Sequence, residues 1–340
     1  MTGISVMTGY PLISLEEYRK CFLGYNILGC AVRSRDVLCF VAQEDYTQWP
    51  EEVDDGDEME LKKRFIPYIR TKPKGQQWSA AALTGFDGIL VGYSPVPPKP
   101  QVIVSGVRGG VYATGSGESS LESIPLADEN GPKRGAVLKL KTIGEHLYVC
   151  GNGRSVGRRM GRDRWIGFSH MIPEAARGVR EGFDDIDGFA EDDVYAVGGE
   201  GDVWRFDGTR WRPCRFPSDL LLGCVCCAGD GHVYVGASMG TVFRGRGDDW
   251  TMIHEGNLSI PFKDMAWHEG EVWCTNDHGL WTIRDGALQE AAVGSDVKIC
   301  SGNLSSRDGV LLLAGHGGAA FRQDGAWSVI FHTLLMPDDE

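Results

Sequence analysis

A 39-residue repeat in the second half of the chain constrains its fold more than any other feature. Gly201, Gly240, Gly279 and Gly318 follow one another at intervals of 39 residues. Each glycine follows a short apolar run and precedes a second one, which ends at an aromatic residue. Repeats of about 20–50 residues are typical of solenoids, propellers and arrays. The aromatic residues are Trp204, Phe243, Trp281 and Phe321, and three of the units then reach a further tryptophan at Trp211, Trp250 or Trp327.

The repeating unit indicates the blade of a β-propeller. Its apolar runs have the length of strands, and Gly and Asp residues fill the turns between them. A β-solenoid would have shorter repeats and stacked identical side chains, which the sequence does not show. The pattern continues with more variation through the first half, so we predict an all-β fold, a seven-bladed β-propeller of four-stranded antiparallel blades. The innermost strands are predicted at residues 26–32, 86–93, 135–142, 184–190, 221–228, 263–268 and 297–304.

The repeats also predict the domain organisation. Residues 24–331 form the propeller, with an acidic insertion at 44–61. Residues 1–23 form an N-terminal extension, and residues 332–340 form a C-terminal tail.

Two features of the N-terminal extension bear on how the ring closes. Ser14 and Glu17 form the sequence pattern of a capping box, which predicts a short helix outside the ring. Residues 4–6, Ile-Ser-Val, are a candidate closing strand for the last blade. A last blade built wholly from the C-terminal end of the chain is the open alternative.

The blade pattern resembles that of bacterial propellers of the broad WD-repeat and kelch-like kind. It consists of an apolar run around Tyr or Trp, a Gly-rich turn, an apolar run that ends in an aromatic residue, and Asp-Gly-x-x-Trp. The Gly-His and Trp-Asp pair of WD repeats does not recur, and residues 207–211 lack the spacing of a sialidase Asp box. The resemblance therefore implies the propeller fold and a binding function, and it carries over no catalytic residues.

Several classes of protein are disfavoured by the sequence. No apolar stretch approaches the ~18 residues that a membrane-spanning helix needs. The N-terminus lacks a basic region followed by an apolar one, so no secretory signal is predicted. There is no GxSxG, P-loop or HExxH motif, and we expect neither a cofactor nor an enzymatic function.

The ten cysteines do not form a disulfide framework. Cys224 and Cys227 have CxxC spacing, but a zinc site needs a second such pair, and the chain has none. We therefore expect reduced thiols buried in an inner strand and no bound metal. Free thiols favour a reducing compartment, which predicts a cytoplasmic protein.

One set of turns carries distinctive polar residues. The turns between the second and third strands of all blades point to one face of a propeller. Carboxylates and histidines around one opening have three interpretations: a metal or acid/base site, a protein interface, or a solvated surface. We predict a protein interface, whose residues in these turns are Glu200, Met239, Asp277, His278 and His316.

The acidic insertion at 44–61 is predicted to overhang the same face. It holds nine carboxylates and no basic residue, and it accounts for most of the formal net charge of −13. Such a block is either a solvated segment or a docking surface for a basic protein, because charge steers encounter and aromatic rings supply contact area. We predict docking through Glu44, Asp45, Tyr46, Trp49, Glu51, Glu52, Asp54, Asp55, Asp57, Glu58, Met59 and Glu60.

Five arginines within eleven residues form an opposing cluster: Arg154, Arg158, Arg159, Arg162 and Arg164. Such a cluster can bind phosphate or a nucleic-acid backbone. The chain is acidic overall, however, and no aromatic residues are interleaved with the arginines. We therefore expect these residues to lie along an outer strand and to pair with acidic neighbours, and we predict no nucleic-acid partner.

These observations predict a non-enzymatic protein-binding propeller, monomeric on its own, with a basic protein as its partner. In its most concrete form it is an immunity or inhibitor protein that binds and neutralises a toxin or effector domain. Two alternatives stay open. A metal-dependent hydrolase or lyase would bring Glu200, Asp277, His278 and His316 together at the channel mouth, and a general scaffold would not depend on residues 44–61.

Overall fold

The computed structural model describes residues 11–45, 61–95, 99–129, 131–173 and 182–336. These residues form seven separate four-stranded antiparallel sheets. Each sheet consists of four strands that are consecutive along the chain, so each sheet is one blade. The predicted seven-bladed propeller of four-stranded blades is confirmed.

Two helices and 28 strands have the following bounds. Helix α1 (Leu15–Cys21) precedes blade 1, which contains β1 (Tyr25–Ser34), β2 (Val37–Glu44), β3 (Lys63–Ile69) and β4 (Ala81–Leu83). Blade 2 contains β5 (Ile89–Ser94), β6 (Gln101–Gly106), β7 (Gly110–Gly115) and β8 (Glu118–Ser123), and blade 3 contains β9 (Val137–Ile143), β10 (His146–Gly151), β11 (Ser155–Gly161) and β12 (Arg164–Gly167). Blade 4 contains β13 (Asp185–Ala190), β14 (Asp193–Gly198), β15 (Asp202–Phe206) and β16 (Trp211–Pro213), and blade 5 contains β17 (Leu222–Cys227), β18 (Val233–Ala237), β19 (Val242–Arg246) and β20 (Asp249–His254). Blade 6 contains β21 (Asp264–His268), β22 (Glu271–Asn276), β23 (Gly279–Arg284) and β24 (Ala287–Glu290), and after helix α2 (Ser295–Lys298) blade 7 contains β25 (Asn303–Arg307), β26 (Val310–Gly315), β27 (Gly318–Gln323) and β28 (Ala326–His332).

The first strand of each blade contacts the first strand of the next blade, and β25 contacts β1. These seven strands therefore surround the central axis, and blade 7 meets blade 1 to close the ring. The described part of the chain contains no helix long and apolar enough to cross a membrane.

The predicted innermost strand at 297–304 is wrong in most of its length. Helix α2 occupies its first residues, and β25 begins only at Asn303. The apolar residues Val297 and Cys300 are both buried in the same core cluster. They are three residues apart, which places them on one side of a helical turn, so their apolar character reflects helical and not strand packing.

The junction between blades 7 and 1 closes without an exchanged strand in the described residues. Val32 N–H donates to Ser305 Oγ at 2.9 Å, and Leu12 N–H donates to the carbonyl of Ile330 at 2.9 Å. Helix α1 covers this junction, because its buried residues pack in one cluster with Phe40 and Phe331. The candidate closing strand at 4–6 lies outside the described residues.

The predicted capping box of α1 is present. Ser14 Oγ accepts the backbone N–H of Glu17 at 3.2 Å, and the Glu17 carboxylate accepts the backbone N–H of Ser14 at 3.1 Å. Two of the donors that an isolated helix start leaves free are thereby satisfied, which fixes the point where the helix begins.

Aromatic rings pack between neighbouring blades. Tyr195 of blade 4 meets Trp250 of blade 5 edge to face at 6.4 Å, and Trp273 of blade 6 meets Trp327 of blade 7 in the same way at 5.5 Å. Edge-to-face pairs of this kind add about 0.5–1.5 kcal/mol beyond their buried area. The recurring tryptophans of the repeat therefore hold neighbouring blades together.

Charged side chains cross the central channel. Lys139 of blade 3 contacts Asp185 of blade 4 at 3.6 Å and Asp264 of blade 6 at 3.1 Å. The remaining oxygens of these aspartates accept backbone N–H groups of the next blade, from Val225 and Leu304. The innermost strands are thus joined by side chains as well as by packing.

Candidate partner-binding face

The chain topology brings two sets of connections to the same face of the ring. Because the strands of each blade are antiparallel, the second and fourth strands end at the same edge of the sheet. The turns between second and third strands therefore lie beside the linkers that lead to the next blade, and isolated bridges join Asn152 to Gly182 and Glu200 to Leu221. We call this surface the turn face. Among the described residues it comprises the turns at 45, 61–62, 107–109, 152–154, 199–201, 238–241, 277–278 and 316–317 and the linkers at 84–88, 124–129, 131–136, 168–173, 182–184, 214–221, 255–263 and 291–302.

Two of the predicted contact residues lie side by side on the turn face. Glu200 is exposed at the tip of the blade 4 turn and bridges to Leu221 in the following linker. Ser238, next to Met239, donates its backbone N–H to the carbonyl of the same Leu221 at 2.8 Å. The Met239 side chain is 56% exposed.

The other predicted turn residues are exposed as well. Asp277 pairs with Lys263 at 3.0 Å, while the backbone N–H of His278 is held by Asn276. His316 is exposed in the turn of blade 7. No group of three or more His, Cys, Asp and Glu side chains among the described residues is arranged to hold a metal ion. The convergence that a metal-dependent enzyme requires is therefore not found in this part of the chain.

The acidic insertion leaves and re-enters blade 1 on the turn face. Glu44 is the last residue of β2, and its carboxylate pairs with Lys62 at 3.0 Å, directly before β3. The backbone N–H of Asp45 donates to the carbonyl of Gly24 at 2.9 Å. Residues 46–60, which include the predicted contacts Tyr46, Trp49, Glu51, Glu52, Asp54, Asp55, Asp57, Glu58, Met59 and Glu60, lie outside the described residues.

Exposed apolar side chains on the turn face were not predicted from the sequence, except for Met239. Eleven large apolar side chains are exposed in the described residues, and seven of them lie in turns or linkers of this face or directly after the last strand: Leu126, Met171, Leu221, Met239, Ile260, Leu334 and Leu335. From the sequence alone, a leucine next to a predicted strand would be expected to be buried in the core. Some of these residues, such as Leu126 and Ile260, lie next to Pro or Ser outside a strand, but Leu221 stands within a run of three leucines and gave no such signal.

The opposite face is occupied by ion pairs between blades. Glu269 pairs with Arg322 at 2.8 Å, Asp324 with Arg35 at 2.5 Å, and Asp193 with Arg246. On the turn face, Glu200, Asp219 and Glu255 have no ion-pair partner among the described residues. On the opposite face, Asp192, Asp285 and Asp308 are likewise exposed without an ion-pair partner in the described part of the chain, so unpaired carboxylates alone do not distinguish the two faces.

Most of the arginine cluster has a structural role, as expected. Arg154 binds Asp202 through two hydrogen bonds of 2.7 and 3.2 Å, and Arg158 pairs with Glu191 at 2.8 Å. Arg159 is fully buried and binds Glu122 of blade 2. Three of the five guanidinium groups are thus engaged within the protein.

The cysteines are reduced and lie mostly in the core. Burial raises the pKa of Cys21 to about 11 and that of Cys39 to about 12. Burial also raises the pKa of Cys224 in β17, the innermost strand of blade 5. Because the thiolate is the reactive form, these groups are inert as nucleophiles and metal ligands near neutral pH.

Comparison with known proteins gives one relative and many structural neighbours. No family model matches the chain. The immune protein Tsi7 of Pseudomonas aeruginosa is 34% identical over 215 residues, which cover 63% of this chain and 70% of Tsi7.

Solved structures agree on the fold. The WD40 β-propeller domain of Doa1 superposes with a TM-score of 0.61 at 9% identity, over 88% of this chain and 94% of that domain. YCF48 bound to D1 peptide superposes with a TM-score of 0.59 at 16% identity, over 89% of this chain and 93% of that one. At such low identities the similarity shows a WD-repeat-like propeller fold alone.

Proposed function

Because the chain belongs to the family of the immune protein Tsi7, we propose that it is an immunity protein that neutralises a protein toxin by binding it directly. The observation that carries this proposal is the 34% identity over 215 residues. The propeller supports a binding function, since it offers a rigid, closed ring with many exposed turns on one face. The reduced cysteines support action in the cytoplasm.

The turn face is the proposed contact surface. Its support is the uncompensated charge of Glu200 and Asp219, the exposed apolar residues, and the position of the acidic insertion between β2 and β3. The predicted contacts Asp277, His278 and His316 belong to the same surface.

A basic toxin domain is the partner that fits this charge best. The chain carries a formal net charge of −13, and the insertion at 44–61 contributes nine carboxylates to it. Complementary charge raises association rates by about 10- to 1,000-fold, and the effect falls steeply with ionic strength. An immunity protein benefits from rapid capture, because a free toxin acts until it is bound.

The proposal is tested by protection and by stoichiometry. Genes next to the one for this chain are expressed singly in a bacterial host, and any that stops growth is then expressed together with this chain. We expect growth to be restored, and the purified chain to form a one-to-one complex with the inactivated toxin domain in calorimetry. Protection at a small fraction of the toxin concentration, without a stable complex, would instead indicate an enzyme that modifies the toxin.

A second measurement examines the insertion. A variant in which a short Gly-Ser linker replaces residues 46–60 retains the Glu44–Lys62 pair at the base of the segment. We expect slower association with the toxin domain and a weaker dependence on salt. An unchanged association rate would remove the insertion from the contact surface and leave the rest of the turn face in place.

A further inference from the structure

We propose that the apolar patch formed by Leu221, Met239 and Ile260 is the energetic centre of the contact, and that it receives an apolar side chain from a Lys- and Arg-rich surface of the toxin. This inference rests on the proposed immunity function and adds to it the location and chemistry of the contact. The three side chains are 42%, 56% and 37% exposed.

Backbone hydrogen bonds link the three segments that carry the patch, which are the turn of blade 5 and the linkers on either side of this blade. The carbonyl of Leu221 accepts the backbone N–H of Ser238, which places the linker into blade 5 against the turn that carries Met239. The carbonyl of Met239 accepts the backbone N–H of Leu258 at 2.9 Å, in the linker that carries Ile260.

The same chain of contacts extends to blade 6. Asn276 Nδ2 donates to the carbonyl of Ile260 at 3.2 Å, and the Asn276 side chain also accepts the N–H of His278. Hydrogen bonds therefore connect the backbone segments that carry the three apolar side chains. A rigid, preformed surface of this kind loses little conformational entropy on binding.

The backbone at Met239 indicates that this side chain does not serve the fold. Met239 has a φ of 61°, in the left-handed region that favours glycine. A side chain at the next position, Gly240, is excluded, because a Cβ there would lie 2.6 Å from the Leu258 side chain. A methionine held in an unfavourable conformation with its side chain in solvent contributes surface and not stability.

Charge around the patch selects the partner. Glu200 and Asp219 lie in the turn and linker next to Leu221, and Glu255 lies in the linker that carries Ile260. All three carboxylates are exposed, whereas the nearby Lys263 already pairs with Asp277. An apolar centre within an acidic rim is complementary to an apolar anchor surrounded by Lys and Arg, which is the usual arrangement of an interface hot spot.

Met239→Gly tests the inference directly. Glycine is the residue that this backbone favours, so the fold is retained while the side chain at the centre of the patch is removed. The probe is the inactivated toxin domain identified by the rescue experiment. We expect its affinity for Met239→Gly to fall by about 30-fold or more, which is the effect expected for a hot-spot residue.

The matched control is Asp285→Gly. Asp285 is also exposed and left-handed, with a φ of 51°, but it lies in the turn between β23 and β24 on the opposite face. We expect this variant to bind like the wild type. Equal affinity of Met239→Gly and Asp285→Gly for the toxin domain would overturn the proposal, while failure of the wild type to protect against any toxin would refute the immunity function itself.

Two further measurements judge the patch on its own. We expect Met239→Gly to unfold at the same temperature as the wild type or a higher one, and a lower temperature would show that Met239 serves the fold. We expect Glu200→Gln with Asp219→Asn to slow association and weaken its salt dependence. If the wild type dimerised and Met239→Gly did not, the patch would pair two copies of the chain. That outcome would overturn the assignment to a basic toxin surface.

Discussion

Arg159 shows how a single residue can combine a sequence signal for binding with a purely structural role. It belongs to an arginine cluster that could bind phosphate, yet both its side chain and that of Glu122 are fully buried. Its guanidinium also donates to Ser94 Oγ and Gln101 Oε1, at 3.3 and 3.1 Å. Blade 3 is thereby tied to blade 2 by one charge-assisted network.

Glu122→Leu is predicted to lower the free energy of unfolding by about 3–5 kcal/mol, because it leaves the Arg159 charge buried without its partner. Glu122→Leu combined with Arg159→Met is predicted to recover most of this loss, since a buried ion pair is often no more stabilising than apolar residues of similar volume. Urea unfolding of the two single variants and the double variant measures both effects. A loss below about 1 kcal/mol in Glu122→Leu would contradict the prediction.

The strands of the propeller can be predicted from the sequence where the 39-residue repeat is regular, in the second half of the chain. The glycines at 39-residue intervals mark the turns, and the Asp-Gly pair at Asp285 lies in the turn between β23 and β24, in agreement with the expectation that Gly and Asp fill the turns of the repeat. The prediction failed at 297–304, where apolar residues three apart belong to a helical turn. The sequence also did not predict the ion pairs of the channel, because nothing in the sequence shows whether Lys139, within an apolar strand, faces other blades or solvent.

Turns on the opposite face add stability that depends on pH. Glu269, between β21 and β22, accepts the N–H of Gly325 and a hydrogen bond from Arg322 of blade 7. Although burial opposes it, the backbone hydrogen bond from Gly325 and the Arg322 charge lower the pKa of Glu269 below its usual 4.5. A carboxylate with a lowered pKa stabilises the fold above the unfolded value and loses this contribution as the pH falls through the folded value.

Glu269→Gln is therefore predicted to be less stable than the wild type at pH 7 and to approach it below pH 4.5, the ordinary pKa of the carboxyl group. Burial lowers the pKa of the adjacent His268, so both proteins also lose stability below 6.5 as the unfolded state takes up a proton there. Because the Glu269 charge, 3.6 Å from His268, itself raises the pKa of His268, both urea midpoints are measured across pH 3–7 in a His268→Asn background, where their difference isolates Glu269. A constant difference over this range would contradict the assignment.

On the scale of the whole molecule, we propose that stability and binding belong to different parts of the ring. The channel and the opposite face hold the blades together through paired charges, whereas most of the exposed large apolar side chains among the described residues lie on the turn face. The sequence predicted this face through Glu200, Met239 and the acidic insertion, since turn residues can be placed once the strands are known. It could not single out Leu221 and Ile260, whose exposure depends on how neighbouring blades are arranged.

Lys139 provides the test of this separation, because it joins blades 3, 4 and 6 through Asp185 and Asp264. Lys139→Met is predicted to lower the free energy of unfolding by about 3–5 kcal/mol, since two buried carboxylates then lose the one cation that contacts both of them among the described residues. Lys141→Met is the matched control with a smaller expected loss, because Lys141 forms its ion pair with Asp187 at the longer distance of 3.9 Å and acts on Asp185 and Asp264 from farther away. Urea unfolding measures both, and calorimetry with the toxin domain at a temperature where both variants are folded should give the wild-type affinity. An affinity loss in Lys139→Met comparable to that of Met239→Gly would mean that the channel, and not the turn face alone, determines binding.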